Sequence, residues 1–126
     1  MARLIVVAAS EDTIAAPFNR QPNYIVVSVT DADGEPVRGL TKRNFKVDPM
    51  IVAPGGALVR IIRAVRGRLP GFYHIDVVPI RNYTWKKGVY IFAIAVERSR
   101  IRLDIKRKRR IVVKDKGQTL ASVMMD

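Results

Sequence analysis

The feature that most constrains the fold is a two-residue alternation of apolar and polar side chains that recurs along most of the chain. Residues 24–30 read YIVVSVT, and within GFYHIDVVP (71–79) the side chains of Tyr73, Ile75 and Val77 share one face. Residues 89–96, VYIFAIAV, are the most apolar run. Because successive strand side chains point to opposite faces, this period predicts β-strands and places 89–96 in the centre of a sheet.

Turn residues separate these runs at short intervals. Residues 31–36, DADGEP, predict a tight turn in which Gly34 takes a positive φ, and 54–56, PGG, predict another. Further strands are predicted at 4–9, at 117–125, and around Phe45 and Val47, where Pro49 should end the strand. Seven or eight short strands result, with no convincing helix.

Residues 58–66 are the one ambiguous segment. They carry Arg60, Arg63 and Arg66 at a spacing of three, which would line one side of a helix. The run is short, rich in Val and Ile, and lies between glycines, so we predict a strand.

These elements predict a single all-β domain over residues 1–126, either a sandwich or a small β-barrel. A chain of 126 residues is long enough to bury a core without disulfides, and this one has no cysteines. The residues predicted to build the core are Tyr24, Val27, Val29, Phe45, Ile75, Val77, Trp85, Tyr90, Phe92 and Ile94.

Residues 29–40, VTDADGEPVRGL, followed by NFKV at 44–47, resemble the V-x-D-x-x-G-x-P-V-x-G-L pattern of bacterial immunoglobulin-like modules. The segments GFY (71–73) and WKKGVY (85–90) are similar to those that open the later strands of such modules. The resemblance spans about residues 24–96. It implies an immunoglobulin-like β-sandwich with a spacer, adhesive or scaffolding role, usually on secreted or surface proteins.

The first ten residues favour an edge strand over a signal peptide. Their apolar run is short, and Glu11 and Asp12 follow it at once. No stretch reaches the roughly 18 apolar residues of a membrane span. The chain as given is therefore predicted to be cytoplasmic, or part of a larger protein whose export signal lies elsewhere.

No residue pattern predicts catalysis, and we expect no enzyme activity, no cofactor and no metal. The carboxylates of Asp31, Asp33 and Glu35 lie too close to their glycine for an EF-hand, so a polar turn is predicted there. The single histidine, His74, shares a strand face with Asp76, but no serine has the context of a nucleophile.

The positive charge is concentrated in the second part of the chain. Residues 1–48 hold six Lys or Arg and six Asp or Glu, so their charges balance. Residues 49–126 hold seventeen Lys or Arg and five Asp or Glu, which accounts for the whole net charge of +12. A solvated basic surface would explain the charge by itself, and so would a face that attracts nucleic acid, anionic lipid or an acidic protein.

Residues 97–116 are predicted to be an inserted basic arm before the last strand, a hairpin with 106–110 at or near its tip. Its predicted partner-binding residues are Arg100, Arg102, Lys106, Arg107, Lys108, Arg109 and Arg110.

The leading hypothesis for function is a non-catalytic structural or protein-interaction module whose arm docks an acidic partner or a neighbouring copy. If the partner is a neighbouring copy, the arm would bind acidic residues of that copy in a head-to-tail contact; candidates are Glu11, Asp12, Asp31 and Asp33. The alternative hypothesis is a nucleic-acid-associated protein that binds phosphates non-specifically. No aromatic residue follows Phe92, which argues against base stacking on single strands.

Overall fold

The computed structural model describes residues 2–10, 22–52, 58–86 and 88–125. Glu11, Asp12 and the turn predicted at 54–56 lie outside these residues. The described part contains one 3-10 turn, Lys42–Asn44, and eight strands: β1 (Ala2–Arg3), β2 (Ile5–Ser10), β3 (Asn23–Thr30), β4 (Phe45–Ile51), β5 (Val59–Arg66), β6 (Phe72–Pro79), β7 (Gly88–Asp104) and β8 (Arg109–Met125).

The strands form two four-stranded sheets. One has the order β1-β8-β7-β4 and the other β2-β3-β6-β5. All neighbouring strands are antiparallel except β1 and β8, which are parallel. The chain changes sheet at Leu4, between β1 and β2. The all-β fold predicted from the alternation is therefore confirmed.

A single apolar core lies between the two sheets. It takes alternate residues of the strands, including Ile25, Val27 and Val29 of β3, which are fully buried. Trp85 fills the core beside β7: its ring centroid lies 5.2 Å from that of Tyr90 and 6.4 Å from that of Phe92, in edge-on contacts. Burial of this apolar surface is the main stabilising contribution to the sandwich.

The segment between β3 and β4 crosses one end of the sandwich, from one sheet to the other. Gly34 has the positive φ expected in its first turn. Farther on, the buried Tyr73 hydroxyl donates a hydrogen bond to the Val37 carbonyl (2.6 Å) and accepts one from the Leu40 N–H (3.2 Å). These bonds hold the crossing segment against the core.

Two sequence predictions are wrong. Tyr24 is 44% exposed, because alternation along β3 puts it on the face opposite Ile25 and Val27. Pro49 does not end β4, which continues to Ile51 with a register shift after Pro49. Because β4 is an edge strand, a residue without an N–H group can face away from its partner.

The segment 58–66, whose arginine spacing also fits a helix, contains β5, as predicted. Its pairing with β6 shifts register between Ile61 and Arg63. Within the described residues, no helix is long and apolar enough to cross a membrane.

Candidate functional site

The last two strands form one continuous antiparallel ribbon. β7 and β8 each have 17 residues and pair along their whole length. Residues 105–108 close the turn, in which Lys108 has a φ of 50°. The Asp104 Oδ1 accepts hydrogen bonds from the backbone N–H groups of Lys106 (3.1 Å) and Arg107 (3.3 Å), and so stabilises the turn.

Only half of this ribbon belongs to the sandwich. On one side β4 begins opposite Val96, and the Asn44 side chain donates to the Glu97 carbonyl (2.9 Å). On the other side the Leu4 N–H donates to the Lys116 carbonyl (2.8 Å). Farther out, residues 99–104 and 109–114 pair only with each other among the described residues. The arm, residues 97–116, therefore extends roughly 25 Å beyond the body.

The two faces of the arm continue the two faces of the sheet. In the body, the inner row of β7 points into the core and consists of Tyr90, Phe92, Ile94 and Val96. In the arm, the inner row consists of Arg98, Arg100, Arg102 and Asp104, with Arg109, Ile111, Val113 and Asp115 opposite them. The outer row consists of Glu97, Ser99, Ile101 and Leu103, with Arg110, Val112, Lys114 and Lys116 opposite them.

A buried carboxylate fixes the base of the arm. The side chain of Asp115 is 0% exposed, and its Oδ2 accepts hydrogen bonds from the Nε atoms of Arg98 (2.9 Å) and Arg100 (2.8 Å). Burial raises the pKa of Asp115, but the hydrogen bonds and charges of Arg100 and Arg98 outweigh burial and lower it overall. Arg100, predicted to bind a partner, thus has one nitrogen engaged inside the protein.

Charge on the arm is far from balanced. The arm holds ten Lys or Arg and three Asp or Glu, so it carries +7 of the net +12. Glu97 pairs with Lys114 (3.4 Å) and Lys116 (3.8 Å), and Asp104 with Arg107 (3.8 Å). The cations without an acidic partner among the described residues are Arg102, Lys106, Lys108, Arg109 and Arg110.

Apolar side chains lie exposed beside these cations. On the outer row, Ile101 is 67% exposed, Leu103 63% and Val112 69%, and Ile105 in the turn is 82% exposed. The outer row faces away from the second sheet, Ile105 lies in the turn, and nothing in the described part of the protein covers these side chains. A contiguous apolar face rimmed by charge is typical of an interaction surface.

A second group of cations lies at the same end of the body and was not predicted. Arg38, Arg66 and Arg68 line a cavity of about 370 Å³ beside the turn that precedes β6. Arg38 is far from Arg66 and Arg68 in the sequence, so no sequence pattern marks the three as a group. The Gly71 carbonyl in this turn accepts a hydrogen bond from Val29, close to the base of the arm.

The remaining candidate residues have structural partners. The Asp31 Oδ1 accepts hydrogen bonds from the backbone N–H groups of Asp33 (2.9 Å) and Glu35 (3.0 Å), which makes it a turn-capping group. The Asp76 carboxylate beside His74 accepts a hydrogen bond from Arg63 (3.1 Å). The described residues contain no group of three His, Asp or Glu side chains placed to hold a metal ion.

Compared with protein-family models, curated proteins and solved structures, the chain shows no match in any of the three.

Proposed function

We propose that this protein is a non-catalytic interaction module whose basic arm, residues 97–116, docks an acidic partner. The observation that carries the proposal is the cluster of five cations on the arm without acidic partners among the described residues. Adjacent like charges repel one another in the free protein. An anionic partner would remove this repulsion, and so the arm gains more from binding than an ordinary solvated surface does.

The body fits the role of a scaffold that presents the arm. If β2 to β8 are lettered A to G, the sheets have the orders ABED and CFG, the arrangement of constant-type immunoglobulin domains. This order supports the proposal of an immunoglobulin-like module. Asp115 adds rigidity, since its contacts with Arg98 and Arg100 tie the two strands of the ribbon together at the base of the arm.

A neighbouring copy is the weaker choice of partner. Asp31 and Asp33 lie at the end of the body from which the arm projects: Thr30 pairs with Ile5, and Leu4 binds Lys116 at the arm's base. Contact between the arm and this turn of another copy would therefore be head-to-head and two-fold, not head-to-tail. A net charge of +12 on each copy also opposes self-association.

The test is binding of fluorescently labelled poly-L-glutamate, measured by anisotropy at several salt concentrations. The tip variant carries Lys106→Gln, Arg109→Gln and Arg110→Gln. The body variant is its charge-matched control and changes exposed cations at the opposite end of the body: Arg60→Gln, Arg81→Gln and Lys86→Gln.

The tip variant should bind about 5- to 150-fold more weakly than the native protein, since three exposed ion pairs are together worth roughly 1–3 kcal/mol. The body variant should stay within about threefold of native. Equal weakening in both variants would mean that charge acts diffusely, and the proposal of a dedicated arm would fail. Absence of binding by the native protein at low salt would overturn it as well.

A further inference from the structure

The arm combines two features that an acidic protein surface alone would not explain. Its tip and edges carry cations, while its outer row presents Ile101, Leu103 and Val112, each more than 60% exposed. A partner suited to both must offer a dense array of negative charge and apolar groups between the charges. The grooves of duplex DNA have this composition: phosphates line both edges, and thymine methyl groups lie on the floor of the major groove.

The dimensions of the arm match such a groove. The arm is two strands wide, with about 4.8 Å between the strands, and its side chains widen it to roughly the 12 Å of the major groove of B-form DNA. A two-stranded ribbon is one of the two protein elements that this groove admits. The arm's length of roughly 25 Å allows the tip to enter a groove about 8.5 Å deep while the body stays outside.

We infer that the arm enters the major groove of duplex DNA. The inference rests on the proposed function and names the partner of the same arm. The long side chains of Lys106, Arg109 and Arg110, at and beside the tip, reach phosphates at the groove edges, and the apolar side chains of the outer row, Ile101, Leu103 and Val112, pack against the groove floor. The contacts are mostly with the backbone, so affinity depends strongly on salt and weakly on sequence.

Arg38, Arg66 and Arg68 extend the basic surface beyond the arm. They lie at the arm-bearing end of the body, in the other half of the molecule from Arg60 and Arg81. The phosphate backbone next to the occupied groove would run close to this end. The arm has no aromatic side chain on which an unpaired base could stack, so duplex DNA should be preferred over single strands.

The test compares a short mixed-sequence DNA duplex with an RNA duplex of the same length and sequence. The two carry equal phosphate charge, but the major groove of A-form RNA is too narrow and deep for side chains to read. Binding is measured by anisotropy for the native protein, the tip variant, the body variant and an outer-row variant. The outer-row variant keeps every charge and carries Ile101→Thr, Leu103→Thr and Val112→Thr.

The native protein should bind the DNA duplex at least about tenfold more tightly than the RNA duplex, because only B-form DNA admits the ribbon. The tip variant should lose roughly 100-fold in DNA affinity at about 0.1 M salt, and its salt slope should fall by about three. The body variant should stay close to native. The outer-row variant should lose part of its DNA affinity and none of its RNA affinity, because only its apolar contacts with the groove floor are removed, while its thermal unfolding stays native-like.

Each contrary result has a distinct meaning. Equal binding of DNA and RNA duplexes would overturn groove entry and leave a purely electrostatic arm. Failure to bind DNA at about 0.1 M salt, with tip-dependent binding of polyglutamate intact, would overturn DNA as the partner and leave the proposed function standing. Failure to bind both polyanions would overturn the two proposals together.

Discussion

The two halves of the β7–β8 ribbon have the same backbone pairing and opposite surroundings. In the body half, the inner row carries Tyr90, Phe92 and Ile94, all fully buried. In the arm half the same row of β7 carries Arg98, Arg100 and Arg102, and the apolar residues of this strand, Ile101 and Leu103, lie on the exposed outer row. The inner row changes from apolar to charged residues where the second sheet ends. The comparison shows that strand alternation alone does not determine which residues are buried: a facing sheet is also required.

The Asp115 carboxylate marks the boundary between the halves. It lies on the inner row. Its cross-strand pair with Arg98 is the next inner pair after that of Val96 and Gly117, and the apolar core has ended there. Its contacts with Arg98 and Arg100 allow the charged row to begin next to a buried surface. A buried acid without such partners would be strongly destabilising.

The largest expected effect on stability is that of a substitution in the core, compared with one in the arm. Phe92→Ala should lower the free energy of unfolding by about 3–5 kcal/mol, because it leaves a cavity among fully buried aromatic rings. Leu103→Ala, on the exposed outer row, should change it by less than about 0.5 kcal/mol. Denaturation in urea measures both. Similar losses in the two variants would mean that the arm is packed against something in the free protein.

The next largest expected effect on stability is that of replacing Asp115, the carboxylate at the boundary between the two halves of the ribbon. Asp115→Ala should cost about 1–3 kcal/mol, because it leaves two partly buried arginines without their acceptor; their partial exposure keeps the loss below that of a fully buried pair. Asp115→Asn, which keeps the shape and removes the charge, is the matched variant. A neutral result for both would show that Arg98 and Arg100 are solvated without it.

The same carboxylate should make stability depend on pH. Its pKa is lower in the folded protein than the ordinary value of about 3.9 in the unfolded chain. The ionised group therefore stabilises the fold fully above the unfolded pKa, and this stabilisation is lost as the pH falls through the folded pKa. The stability difference between native protein and Asp115→Asn should thus be constant near neutral pH and shrink below about pH 4. A difference that persists at low pH would contradict this assignment.

An effect on stability of similar size is expected at Gly117, where β8 meets the first strands. A Cβ atom at Gly117 would collide with the Leu4 carbonyl oxygen and lie 2.8 Å from Val6 Cγ2. Gly117→Ala should therefore displace the first strands and cost about 1–3 kcal/mol in chemical denaturation. Ser99→Ala, in the arm, is the control and should leave the free energy of unfolding nearly unchanged. If Gly117→Ala leaves the free energy of unfolding unchanged, the first strands are not packed on β8 in solution.

The smallest expected effect is that of removing the arm. Replacing residues 101–112 by Asn-Gly joins Arg100 to Val113, which already face each other, through a two-residue hairpin turn and keeps both arginine partners of Asp115. The shortened protein should unfold cooperatively within about 1 kcal/mol of native, because the deleted residues contribute little to the core. Loss of cooperative unfolding would show that the arm helps to hold the body together.

Several errors in the sequence prediction have physical reasons. Tyr24 was placed in the core although its position along β3 is out of phase with Val27 and Val29, which are buried. Ile25, in phase with them, was missed. Pro49 was read as a strand end because a central strand excludes proline, but only the sheet order shows that β4 is an edge.

The candidate site was predictable in outline only. Five consecutive cations at 106–110 and the alternation on both sides of them are visible in the sequence, and both indicate a basic hairpin. Asp115 was not predicted, since one acid in a basic run gives no local sign that it is buried. Arg38 joins Arg66 and Arg68 only through the fold, because the two segments that carry them are far apart in the chain.

The sequence by itself determined the strands, most of their inner faces and the position of the basic hairpin, because these follow from side-chain period and turn chemistry over a few residues. Only the tertiary structure decided where burial ends along the β7–β8 ribbon, which acid anchors the arm, and which exposed residues lack partners. Those properties depend on the extent of the facing sheet and on contacts between distant segments, and neither leaves a local pattern in the chain.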